Sequence, residues 1–269
     1  MVENDSCTIT FLESIGAGTD IIPLFDADYQ AVLDYGTAQG YTLPSSGQQT
    51  LQNDLVVALK AAGVWSKLDT FANFATDGDS DFALIDWKRL TDYTAVNSPT
   101  FTSNQGYQFN GTSSYINTNF NPLTSGTNYT LNNASRGFYL YNSVASPLGI
   151  DGNTTTFDNG IFRLDGTANI RINSTNNINT NYSFGVSSGF KSINRTSSTN
   201  VTLLSPIFID AATNERTQTS TSITSQNQLL GRSGTFYGNF TPSCYFMGAS
   251  LVSENTDFVN AYDTYISLI

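Results

Sequence analysis

After Asp81 the chain breaks into short apolar or alternating runs, each closed by Gly, Asn, Ser or Thr. A strand turns successive side chains to opposite faces, so runs of this kind, punctuated by turn formers, describe many short antiparallel strands closed into a sandwich or barrel. The pattern predicts strands over 82–87, 100–102, 106–109, 114–118, 137–141, 160–164, 168–172, 182–186, 202–204, 207–210, 228–230 and 244–252. The Asn-, Ser- and Thr-rich stretch from Asn173 to Asn200 keeps Tyr182, Phe184 and Phe190, and reads as long polar hairpins. A short helix closes the chain over 257–265.

The first 80 residues have a different texture. A short strand over 8–12 precedes a Gly-rich turn, and helices are predicted over 26–35, 51–62 and 65–74, with Gly36, Gly40 and Gly63 as stops. The expected organisation is a small helical attachment or packing module at 1–80 and a β domain at 81–269, a two-sheet antiparallel jelly-roll sandwich.

Histidine is absent and only four glutamates occur, Glu3, Glu13, Glu215 and Glu254. Without imidazole the chain has no Ser-His-Asp or Cys-His catalysis and no zinc site that needs His. The net charge of −11 is uneven: residues 1–90 hold 11 Asp and 2 Glu against three Lys and one Arg, whereas residues 91–269 are nearly neutral. No basic stripe is present to neutralise phosphates, so nucleic acid is not an expected partner. The acidic start lacks a positively charged and apolar leader, and no apolar run is long enough to span a bilayer. The expectation is a protein without membrane insertion, folded where it is made or released by particle assembly and lysis. Cys7 and Cys244 lie near opposite ends of the sequence and form neither a disulfide framework nor a metal motif.

Strings that suggest chemistry fail on inspection. Gly185-Val186-Ser187-Ser188-Gly189 fits the nucleophile-elbow pattern, but an elbow needs a strand-to-helix turn and a histidine, so a hairpin turn is expected. Asp77, Asp79 and Asp81 alternate as in the first half of a calcium loop, yet Phe82 and Lys88 stand where that loop needs Gly and Glu. Two readings stand for them, a looser Ca2+ site or a solvated acidic turn; no other cofactor is expected. The paired carboxylates of a glycosidase strand are missing, so the chain is expected not to be an enzyme.

Sugar rings stack on aromatic faces while amides and carboxylates meet their hydroxyls. Asn176, Asn177, Asn179 and Tyr182 form one candidate glycan-binding group, and Asp151, Asn153 and Asp158 another; plain turn chemistry accounts for the same residues.

Residues 106–116, Gly-Tyr-Gln-Phe-Asn-Gly-Thr-Ser-Ser-Tyr-Ile, resemble an early strand pair of concanavalin A-like and laminin G-like domains. Residues 245–251, Tyr-Phe-Met-Gly-Ala-Ser-Leu, with the segment from Asp257 to Tyr262, resemble that family's last strand and closing helix, and Leu230-Gly231-Arg232-Ser233-Gly234 resembles the hairpin before it. The resemblance covers 82–269 and implies a lectin-like fold. The helical start joined to 82–87 further resembles structural proteins of bacterial viruses, notably those infecting Bacteroidetes. That resemblance implies a non-enzymatic virion protein, a fibre, spike or capsid-attached component. Its partners would be other virion proteins and a host-surface glycan, and it would be a homo-oligomer, trimeric if fibre-like. A secreted bacterial carbohydrate-binding or adhesion module and a polysaccharide-degrading enzyme on the same fold are the alternatives.

Overall fold

The computed structural model describes residues 25–143, 151–152, 168–175, 178–180, 187–205 and 214–269. Cys7 and the strands expected over 8–12, 160–164, 182–186 and 207–210 lie outside the described residues.

Asp26 caps helix α1 (Ala27–Gln39) by accepting the Asp28 N–H, and Gly40, left-handed at φ 80°, closes it. Gly36 does not end this helix as expected. It is buried within it, where a Cβ would stand 3.0 Å from the Phe82 ring, so glycine serves close packing. Helix α2 (Ser46–Ala61) begins more than a turn ahead of the predicted start, because Ser45 accepts the Gln48 N–H and so recruits the Ser-Gly pair into the first turn.

The third expected helix is a strand. A single 3-10 turn at Trp65–Lys67 leads into β1 (Leu68–Asn73), which pairs antiparallel with a strand near the other end of the chain. Leu68 and Phe71 are buried on one side of this strand and Ala72 on the other, so no alternation marks it in the sequence. The segment 82–87 is likewise only partly extended, with a 3-10 turn at Phe82–Leu84 before β2.

The further strands are β2 (Ile85–Asp86), β3 (Thr91–Asp92), β4 (Thr94–Val96), β5 (Thr100–Thr102), β6 (Gly106–Gln108), β7 (Tyr115–Asn117) and β8 (Ala134–Ser143). Then come β9 (Asp151–Gly152), β10 (Ala168–Ile170), β11 (Ile178–Thr180), β12 (Gly189–Arg195), β13 (Asn200–Leu204) and β14 (Glu215–Thr217). The last four are β15 (Leu229–Leu230), β16 (Arg232–Ser233), β17 (Phe236–Tyr237) and β18 (Phe240–Gly248). A one-turn helix α3 (Pro122–Ser125) and the closing helix α4 (Asn255–Leu268) complete the described elements.

The fold is mainly β, a two-sheet antiparallel sandwich. A six-stranded sheet runs β1-β18-β8-β12-β13-β14 and a four-stranded sheet runs β4-β7-β15-β9. Neighbours far apart in sequence, such as β1 beside β18 and β7 beside β15, give it the crossing connectivity of a jelly roll. Both faces of the larger sheet are covered. Phe138 and Leu140 of β8, Ile193 of β12, and Tyr245 and Met247 of β18 share one core with Ile116 and Leu230 of the smaller sheet. The alternate residues Tyr139, Phe190, Cys244 and Phe246 meet Tyr29, Leu55 and Leu59 of α1 and α2 and Phe258 and Tyr262 of α4. Phe258 centres this second core, 4.5 Å from the Phe190 ring and 4.9 Å from that of Phe246. Each such buried ring contributes roughly 1.5–3 kcal/mol, which is what holds the helices on the sheet.

Strand β12 pairs antiparallel with β13 in a hairpin, as expected within 173–200, but this strand of the hairpin is buried. All seven of its residues are buried, yet Lys191, Ser192, Asn194 and Arg195 carry polar groups. Arg195 makes this tolerable by spreading its guanidinium over the Ile172 and Gln218 carbonyls at 2.7–2.9 Å and the Gln218 Oε1 at 2.8 Å. No helix among the described residues is long and apolar enough to cross a membrane.

Candidate functional site

On the face of the four-stranded sheet turned away from the core, three side chains from two distant segments converge. Ile116 and Leu230 point into the core, so their neighbour Tyr115 points outward. The β16–β17 hairpin follows β15 directly and pairs Arg232 with Tyr237 across its two strands. The Arg232 guanidinium carbon lies 5.0 Å from the Tyr115 ring centre and 5.3 Å from that of Tyr237, and the two rings are 6.3 Å apart at 50°. The cation thus stands beside two phenol rings that meet it from one side, an arrangement worth roughly 0.5–1 kcal/mol per ring at an exposed site. Its Nε–H donates to the Gly234 carbonyl at 3.0 Å. Arg232, Tyr115 and Tyr237 are all partly exposed, and on the other face of the hairpin Phe236 is 50% exposed.

The backbone around these side chains is fixed. Gly231 turns the chain at φ 91°, and a Cβ there would press within 2.7 Å of the Phe109 ring, so only glycine fits. Gly238 donates to Gly231 at 2.9 Å, and Gly111 donates to Gly238 at 2.9 Å, fastening the loop before Tyr115 to the hairpin. Within that loop, the Asn110 Oδ1 accepts from the N–H groups of Thr112 and Ser113 at 2.9 Å and of Ser114 at 3.1 Å. The Asn97 Nδ2 reaches across to the Ser113 carbonyl at 2.9 Å. An Asn side chain that gathers three turn donors is an Asx-type lock, so Tyr115 is held in place before any ligand arrives.

The cations of the chain are held in different ways. Among the described residues, ion pairs engage Lys60 with Asp26 and Asp28, Lys67 with Glu254, and Arg89 with Asp86. Arg232 is in none of them. Lys191 is a different case: it is fully buried, donates to the Ser187 carbonyl at 3.0 Å, and is pushed down to about 8 by burial. On the helix side, the Asp92 Oδ2 accepts from the Tyr41 and Tyr35 hydroxyls at 2.8 and 3.1 Å. Burial and that carboxylate raise the pKa of both phenols, which closes the cluster as a tie between α1, the loop after it, and β3.

The residues singled out by sequence are placed less tellingly. The backbone of Asp151 pairs with Leu230, two residues from Arg232, so this candidate borders the platform. Asn179 lies in the separate β10–β11 ribbon opposite Asn169. Asn153, Asn176, Asn177, Asp158 and Tyr182 lie outside the described residues. Asp77 accepts the Ser45 N–H at 3.0 Å, while Asp79 accepts those of Thr42 at 2.6 Å and Phe82 at 2.8 Å. These carboxylates pin the loop ahead of α2, and among the described residues no group of three His, Cys, Asp or Glu side chains converges as metal ligands. Ser187 and Ser188 lead into strand β12 and not into a helix, and Gly185 and Val186 lie outside the described residues.

Concavities lie elsewhere. One of about 250 Å³ opens beside α4, over Phe190, Ser205, Val259, Asn260 and Asp263, and another of about 250 Å³ runs between α2 and α4 over Leu51, Asp54, Leu55 and Leu268. Each offers one carboxylate among the described residues, not the facing pair of glycoside hydrolysis. The platform went unread in the sequence because Tyr115 and Arg232 meet only through the β7–β15 pairing. The available signal was an arginine and a tyrosine facing each other across the tight turn at Gly234.

No family model and no curated protein matches the chain. Among solved structures it is similar to domain 4 of AbnA, an extracellular arabinanase from Geobacillus stearothermophilus, in complex with arabinotriose. The two are 14% identical over 72% of this chain and 98% of that one, with a TM-score of 0.41. It is also similar to the sialidase of Trypanosoma rangeli, 12% identical over 82% of this chain and 40% of that one, with a TM-score of 0.48. A third is the receptor binding domain of botulinum neurotoxin C/D mosaic serotype, 9% identical over 72% of this chain, with a TM-score of 0.42. The chain spans 51% of that toxin domain's length.

Proposed function

We propose that this chain is a non-enzymatic binding protein that grips a host-surface glycan through Tyr115, Arg232 and Tyr237 while displayed on a virion. The observation that carries the binding role is the Arg232 guanidinium, which stands partly exposed beside two aromatic rings and, among the described residues, in no ion pair, on a loop framework tied by hydrogen bonds. The absence of histidine and the four scattered glutamates support binding over catalysis. The virion setting is supported by the sequence resemblance of the helical start and the segment after it. In that setting the helix-covered face of the larger sheet is the attachment side, and the Tyr115 side faces the host.

The test is a screen of the full chain against bacterial surface polysaccharides, repeated with Tyr115→Ala and Tyr237→Ala. Each substitution is expected to weaken binding about two- to fivefold, as loss of roughly 0.5–1 kcal/mol of ring contact implies. Unchanged binding in both variants would remove the platform from the account. Antibody labelling of particles tests the setting, and labelling confined to infected cytoplasm would contradict it.

A further inference from the structure

We infer that the sugar taken at this platform carries a carboxylate, so that the ligand class is an acidic glycan; this rests on the reading of Tyr115, Arg232 and Tyr237 as the glycan site. The inference follows from which parts of Arg232 remain open. A guanidinium has five N–H donors in one plane and two faces. The Tyr115 and Tyr237 ring centres, 6.3 Å apart, lie on the same side of the guanidinium, and the Nε–H is committed to the Gly234 carbonyl. What is left is the in-plane edge formed by Nη1 and Nη2. A planar acceptor with two oxygens, a carboxylate, matches that edge in a two-bond fork, whereas a sugar hydroxyl offers one weaker contact.

Each phenol turns one face to the cation, which leaves a neutral sugar less ring face to stack on, and the exposed Phe236 lies on the other face of the hairpin. Charge does not oppose the assignment. The chain carries −11, but residues 91–269, which include the platform, are nearly neutral, and the excess lies in residues 1–90. Exposed charges more than about 8 Å apart are largely screened at physiological salt, so the contact at Arg232 decides.

The experiment uses the full chain and glycans bearing glucuronate, galacturonate or sialic acid, each paired with its carboxyl-reduced form, in calorimetric or NMR titrations. Arg232→Gln and Arg232→Lys are titrated beside the wild type, and their melting temperatures confirm folding. The expected result is at least tenfold tighter binding of one acidic glycan than of its reduced form, a preference lost in R232Q and partly kept in R232K. Equal binding of the two forms, or a preference that survives R232Q, overturns the acidic assignment and leaves the glycan site standing. No binding of any pair, with none of the neutral glycans bound either, overturns the inference together with the site it rests on.

Discussion

Arg195 and Arg232 carry the same side chain into opposite circumstances. Arg195 lies fully buried in β12, and its three guanidinium nitrogens are spent on the carbonyls of Ile172, Ser197 and Gln218 and on the Gln218 side chain. Arg232 is partly exposed on the far side of the smaller sheet, with one hydrogen bond and two aromatic walls. A cation whose donors are all taken holds the fold together. A cation braced by rings with its edge left open is built to meet something else.

The comparison breaks most sharply at Arg195. Arg195→Met leaves buried carbonyls without donors and is expected to cost about 3–5 kcal/mol, as removal of one partner from a buried charged network does. Denaturant melts give the value, and a loss below 1 kcal/mol would show that water replaces the guanidinium there.

Lys191, on the same strand, extends the test to a buried cation with a single acceptor. Its amine falls from 10.5 to about 8 by burial, so as pH drops from 10.5 the unfolded chain takes up a proton that the folded one refuses until about 8. Stability therefore rises with pH between 8 and 10.5, by about 3 kcal/mol in all. The window is cleanest below 10, because burial raises the pKa of Tyr29, Tyr107 and Tyr265, and ionisation of these phenols in the unfolded chain lowers stability above that pH. Lys191→Met is expected to stabilise the protein at pH 7 and to flatten the slope between pH 8 and 10. A slope unchanged in that variant would assign it to other groups.

Smaller effects sharpen the other side. Arg232→Met is expected to cost about 1–2 kcal/mol, the two ring contacts at roughly 0.5–1 kcal/mol each, and a loss above about 3 kcal/mol would make Arg232 a structural arginine like Arg195. Gly231→Ala should also destabilise the hairpin, because the added Cβ meets Phe109 at a backbone φ that alanine disfavours.

The sandwich was legible where turn residues and period-two runs coincide, as at Gly106–Gln108, Tyr115–Asn117 and the hairpin around Gly234. It was hidden where burial is two-sided. Strand β1 reads as a helix because Phe71 faces the helices while Ala72 faces the other core, and the burial of β12 is hidden because Lys191 satisfies itself on the nearby Ser187 carbonyl and Arg195 on the distant Ile172 carbonyl. Of the candidate glycan residues, Asp151 was placed at the platform's border through its pairing with Leu230. The platform itself could not be read, since its members meet only after β7 and β15 pair.

The most direct test of the account is a map of backbone amide shifts, or of hydrogen-exchange protection, on adding a bound surface polysaccharide to the full chain. The account predicts changes concentrated in residues 110–117 and 231–239. Changes confined to the cleft beside α4, around Val259 and Asp263, with the Arg232 hairpin unmoved, would contradict it.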